Sequence, residues 1–401
     1  MPADDRSLLM NRCLWIDWLR LVALFLVTLC HCCDPLLFNP LAAPSTELSF
    51  WGAVWQCSTR ACVPLFVCMT GALLLPARTA TFPFWRKRIG RVLWPFLIWS
   101  ALYCLFPWFF LGLGGAEPSR IADHFVSAAV APSGELSSAL GEIALIPLSF
   151  SLYCVHMWYV YVLIGLYLFI PILSAWLERA TLREKLAVLG LWTLSLFIPY
   201  LNLAMPELWG VCAWNSCGML HYFAGFSGYL LLGHLMMRGR RIGFGRALAA
   251  GAALIVMGYL VTLVGFRIMQ TESYHAGSFG EMLRLALSPE TPGVPYVPAH
   301  EVFIFFCSPN VALMVAGLLL IFREITDSPL WVRRLLANLT SCGFGIYLVH
   351  YFIVGPAFML CRSLGIGEEL LVLASAVIVL PVTWCIVALF KRLIPGKWLL
   401  G

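Results

Sequence analysis

Trp15-Ile-Asp17-Trp-Leu-Arg20-Leu-Val-Ala-Leu-Phe-Leu-Val-Thr-Leu-Cys30-His31 opens an apolar run over residues 15–37 that decides the architecture. An α-helical membrane span needs roughly 20 mostly apolar residues. This run supplies them and yet carries three ionisable side chains. Arg20 and His31 are eleven positions apart, which is about 20° from three whole turns, so they share one helix face about 16 Å apart along the axis. Asp17 lies one turn before Arg20 and is expected to pair with it and neutralise it. Charge within a bilayer is costly, so such a face has to be covered by protein or water. Nothing at the N-terminus reads as a cleavable signal, because the polar residues 1–12 are mixed in charge and no small-residue cleavage site follows.

The rest of the chain agrees. Of its 401 residues 61% are hydrophobic and 11% charged, where a globular protein has about a quarter charged. That excludes an ordinary soluble enzyme and a disordered chain. The net charge of +6 does not point to nucleic acid, since the basic residues sit in short clusters between apolar runs. Ten spans are expected, at 15–37, 49–75, 92–112, 157–177, 186–203, 217–237, 247–266, 301–322, 340–360 and 370–390. Of the 26 Lys and Arg, 20 fall before the first span, after the even-numbered spans or at the C-terminus, and only Arg120, Arg267, Arg284 and Arg362 fall on the other side. This asymmetry places both termini in the cytoplasm. The expected fold is all-α, a polytopic membrane protein of about ten transmembrane helices forming one domain over residues 1–401. Two long outer connections, 113–156 and 267–300, are positioned to cap a site.

Fifteen cysteines do not imply a disulfide framework, because most fall inside spans as packing. Cys30, His31, Cys32 and Cys33 are not expected to bind metal, since adjacent helical residues point about 100° apart. No Walker loop, dinucleotide glycine fingerprint or Gly-x-Ser-x-Gly elbow is present, which removes support for ATP-driven transport and for α/β-hydrolase chemistry.

Further candidates sit in later spans. Arg60, in the outer half of the second, needs a carboxylate, a carbonyl or an anionic ligand. Pro64 breaks the hydrogen-bond ladder just past it, and Gly71 permits close helix approach. Arg86-Lys87-Arg88-Ile-Gly-Arg91 enters the third span from the cytoplasm, and Arg88 and Arg91 present two guanidinium forks on one face, suited to a phosphate-bearing ligand. Tyr347 and His350 share a face of the ninth span, and Trp158, Tyr159 and Tyr161 open the fourth beside His156. Each has a structural alternative: interfacial anchoring for Asp17 and Arg20, an orientation signal for the basic cluster, packing for His350 and an interfacial belt for the aromatics.

Taken together, these motifs resemble the membrane acyltransferase family 3 over about residues 14–390. The likeness is carried by Arg20 and His31 with ten residues between them; by Arg88-x-x-Arg91; and by Arg60-x-x-Val-Pro64-Leu-Phe66-x-x-x-Thr70-Gly71, with Thr70 where Ser is usual. It extends to His156-x-Trp158-Tyr-x-Tyr161-x-x-x-Gly165-Leu-Tyr167 and Gly345-Ile-Tyr347-Leu-Val-His350. The nearest flavour is that of bacterial inner-membrane O-acetyltransferases that modify surface glycans. The resemblance implies transfer of an acyl group, usually acetyl, from cytosolic acetyl-CoA to a hydroxyl of a surface glycan or lipid-linked sugar, with no metal. It implies His31 as general base, assisted by Arg20, Asp17 and Thr70, and coenzyme binding by Arg88, Arg91, Arg86 and Lys87. It leaves Arg60, Tyr347, His350 and Trp158 to the acceptor. The rival class is a multi-pass transporter or glycan exporter, because buried ionisable residues also line transport paths.

Overall fold

Apolar side chains cover the outside of the helices as well as their contacts: Ile172 is 65% exposed, Val377 56% and Val256 55%. Such a surface is stable in lipid and not in water. The computed structural model describes residues 12–37, 46–115, 117, 132–205, 220–294, 298–393 and 397–401. Arg6, Arg120 and His124 lie outside the described residues, as does part of the 113–156 connection. Among the described residues there is no strand, and the protein is an all-α, multi-pass membrane protein.

The principal helices are α1 (Leu14–Cys32), α2 (Thr46–Ser58), α3 (Cys62–Leu74), α4 (Thr81–Pro107), α5 (Trp158–Arg179) and α6 (Leu182–Ser195). They continue as α7 (Ser227–Arg238), α8 (Phe244–Gln270), α9 (Pro309–Phe322), α10 (Leu330–Val349), α11 (Tyr351–Ser363) and α12 (Glu368–Leu393). Among the described residues, seven helical runs are long and apolar enough to cross a bilayer, and α10 with α11, bent by 79°, makes an eighth. The count of ten is not reproduced by helix length. The expected sixth and eighth spans form α7 and α9, of 12 and 14 residues, short of the roughly 20 that a crossing needs. α9 starts late because Pro309, which has no N–H for the ladder, opens it after the 3₁₀ turn Pro298–Phe303.

α1 is the central helix, packed on α3, α9, α10, α11 and α12. α7 lies against α3 so closely that a Cβ on Gly71 would come 2.0 Å from the Leu230 carbonyl oxygen, and one on Gly233 1.9 Å from that of Cys68. Without a hydrophobic driving force between helices in lipid, backbone contact of this kind supplies the packing. It also fixes α3, which carries one wall of the site.

Candidate active site

Four interruptions of the helices bring the ionisable residues together. α1 stops at Cys32 and a short helix, Asp34–Leu37, resumes after one turn residue. Thr59–Ala61 is a turn between α2 and α3, where Pro64 leaves the Arg60 carbonyl without its i+4 donor. The 3₁₀ stretch Leu152–Met157, with Cys154 at φ −137° and ψ 51°, precedes α5. The fourth break is the bend at His350 between α10 and α11. Irregular backbone at membrane depth survives only where protein or a wet cavity satisfies it. Here it borders a cavity of about 1360 Å³ whose wall includes His31, Asp34, Arg60 and His156.

The same wall includes Arg12, Arg20, Arg88 and Arg91. Because α1 is unbroken between Arg20 and His31, the cavity extends about 16 Å along it. Val27, Val63, Met69 and Leu163 line it as well. Neither Arg88 nor Arg91 makes a side-chain hydrogen bond or ion pair to a described residue, and Arg88 rests 5.9 Å over the Phe84 ring. The stripe expected from periodicity is therefore present, and its two ends open into one space.

Asp17 does not line that space. Its carboxylate accepts from Arg12 Nε at 2.8 Å and Nη2 at 2.9 Å, from Thr340 Oγ1 at 3.1 Å and from Arg20 Nη1 at 3.4 Å. Its closest partner is thus Arg12, and Arg20 is held less tightly than the sequence suggested. Arg86 and Lys87 are exposed and do not line the cavity, because only positions three apart, Arg88 and Arg91, share the inward face of α4.

His31 Nδ1 lies 2.9 Å from Asp34 Oδ2, and both side chains are at least 85% buried. A carboxylate offers only lone pairs, so this bond puts the proton on Nδ1 and leaves the Nε2 lone pair free. Asp34 was absent from the sequence candidates. Its signal was the His31-x-x-Asp34 spacing at the end of the first span, ahead of Pro35.

Arg60, 8% exposed, donates from Nε to the Ile304 carbonyl at 2.6 Å and lies 4.0 Å over the Phe306 ring. With the Gln56 amide oriented to suit its neighbours, Arg60 Nη1 donates to its oxygen at 3.1 Å. Nη2 makes no hydrogen bond to a described residue, and among the described residues no carboxylate is within ion-pair distance of Arg60. Thr70 lines the cavity but donates its hydroxyl proton to the Phe66 carbonyl at 2.8 Å. Trp158 also lines it, stacked on Phe306 at 5.4 Å. Tyr347, in the wall too, donates its hydroxyl to the His156 carbonyl at 2.5 Å. His350 is outside the wall, yet its ring centroid is 5.3 Å from those of His31 and His156. His31 and His156 are 6.0 Å apart. Among the described residues no group of three or more His, Cys, Asp or Glu is arranged to hold a metal ion.

A family model described as an acyltransferase domain matches residues 14–390, nearly the whole chain. No curated protein and no solved structure matches it.

Proposed function

The chain belongs to this acyltransferase family, and from that premise we propose that it moves an acetyl group from cytosolic acetyl-CoA to a hydroxyl of a surface glycan or lipid-linked sugar across a bacterial inner membrane. The observation that supports this reading best is that one cavity wall carries both the unpaired guanidinium groups of Arg88 and Arg91 and the imidazole of His31. The coenzyme is anionic at its nucleotide end, where Arg88, Arg91 and Arg20 would engage its phosphates. Its pantetheine arm then runs along the cavity and delivers the thioester about half a hydrocarbon thickness into the protein.

His31 Nε2 takes the proton of the acceptor hydroxyl as its oxygen attacks the thioester carbon. Asp34, bonded to Nδ1, holds the ring in that orientation and stabilises the imidazolium. The C–S bond breaks, the imidazolium proton passes to the coenzyme thiolate, and ester and free thiol leave. Asp17 acts at a distance, fixing Arg12 and Arg20 at the coenzyme end. Arg60 and Thr70 orient the acceptor.

The test is purified protein in lipid vesicles given labelled acetyl-CoA and isolated surface glycan. Label should pass to the glycan, and His31→Ala should lose ~10²-fold or more in rate. Transfer at the full rate by His31→Ala would overturn the assignment of the base. A protein that neither binds nor consumes acetyl-CoA would return the question to transport.

A further inference from the structure

We infer that His156 is a catalytic residue of this transfer, donating a hydrogen bond to the thioester carbonyl oxygen as negative charge develops on it. The inference rests on the acyl-transfer reading above. His156 is 1% exposed and lines the cavity, and neither ring nitrogen makes a hydrogen bond of normal geometry. The Leu348 carbonyl neighbours the ring and accepts from the Tyr103 hydroxyl at 3.0 Å, and its contact with the His156 ring falls short of hydrogen-bond geometry. A buried polar atom left without a partner is destabilising, and a group bound in the cavity is what would satisfy it.

Elimination among the three imidazoles selects this one. His31 spends Nδ1–H on Asp34. His350 spends Nδ1–H on the Tyr347 carbonyl at 2.7 Å. Each is left with a lone pair on Nε2. Neutral His156 carries one N–H whichever tautomer it adopts, and among the described residues that donor meets no acceptor at normal hydrogen-bond geometry. Two hydroxyls in the cavity wall are committed as well, Tyr347 to the His156 carbonyl and Thr70 to the Phe66 carbonyl. The ring is held firmly for the task, stacked on Tyr351 at 4.7 Å and edge-on to Tyr103 at 5.1 Å. A preorganised donor aimed at developing charge needs no rearrangement during the reaction. As the proton moves from the acceptor to His31, the carbonyl π electrons move onto oxygen toward His156; when the tetrahedral intermediate collapses they return and the thiolate leaves.

The experiment uses the full chain in vesicles with acetyl-CoA labelled with ¹³C at the carbonyl, without acceptor, read by infrared difference spectroscopy. In the native protein the bound carbonyl stretch should lie below that of free acetyl-CoA. His156→Phe should abolish the downshift and slow transfer by ~10²-fold with little change in KM. His156→Gln, which restores an N–H, should recover part of both. Arg60→Met, removing another open donor of the same cavity wall, should leave the downshift in place. A downshift that survives His156→Phe, or that disappears in Arg60→Met alone, overturns the proposal. If native protein shows no bound carbonyl band at all, the coenzyme reading fails and His156 loses its role with it.

Discussion

Arg60 and Arg267 are both sealed from solvent, at 8% and 0% exposure, and neither has a carboxylate within ion-pair distance among the described residues. They differ in what their donors do. Arg267 gives Nε to the Ala286 carbonyl at 2.9 Å, Nη1 to Gln270 Oε1 at 2.9 Å, and Nη2 to the Ser288 and Thr291 carbonyls at 3.1 and 3.3 Å. It ties the end of α8 to the connection that follows. Arg60 gives Nε to the Ile304 carbonyl and Nη1 to the Gln56 amide oxygen, keeps Nη2 without a hydrogen bond to a described residue, and lines the cavity that His31 also lines. Burial of a charge therefore does not separate scaffold from site. Whether the protein has already used up its hydrogen-bonding capacity does.

The largest expected effect breaks the scaffold side. Arg267→Met leaves three carbonyls and the Gln270 amide oxygen without the guanidinium donor, a loss on the order of 4 kcal/mol of stability. Thermal unfolding in detergent should show it as a large drop in midpoint, while the transfer rate per folded molecule stays within about twofold. An equal loss of rate would mean that this region also shapes the site. Arg60→Met should do the reverse. Its midpoint should move less than that of Arg267→Met, because the Ile304 carbonyl bond, the Gln56 bond and the Phe306 ring contact are lost, while turnover should fall ~10²-fold, or about 2.7 kcal/mol of barrier. Arg60→Lys should not rescue it, since an ammonium cannot reproduce the flat fork against Phe306.

The same contrast explains what could be read in advance. The Arg20 and His31 stripe was legible because α1 is unbroken between them, and periodicity holds only along an unbroken helix. The partners that complete the site lie where helices stop. Asp34 opens the short helix that follows the break after α1, Arg60 belongs to the turn before α3, and His156 to the 3₁₀ stretch before α5, so no single helical wheel aligns them. Arg267 was counted only as one of four basic residues on the outer side. Its cost became visible once α8 was seen to run to Gln270, burying the guanidinium in the last turn. The two short helices α7 and α9 show the converse. α9 is apolar enough for a span, but it opens at Pro309 and runs only 14 residues, while α7 is 12 residues long and carries His234 and Arg238.

Open donors at the coenzyme end should behave like Arg60, in milder form. Arg88→Gln with Arg91→Gln removes two unpaired forks that face water as well as the cavity. The KM for acetyl-CoA should rise about tenfold, ~1.4 kcal/mol, with kcat retained within about threefold. A fall in kcat with unchanged KM would place the coenzyme elsewhere.

Arg86 and Lys87 set the lower bound. They belong to the same basic run, but the turn of α4 directs them away from the cavity, and both are exposed. Their only reach to a docking coenzyme is through the field, which physiological salt screens over about 8 Å. Arg86→Gln with Lys87→Gln should therefore raise the KM for acetyl-CoA by less than about twofold, and raising the salt concentration should erase even that. Arg88 and Arg91, acting by contact, should keep most of their effect in the same salt series. If the two pairs instead lose their influence together as salt rises, the cluster acts only as a diffuse positive surface, and the forks on the inward face hold nothing.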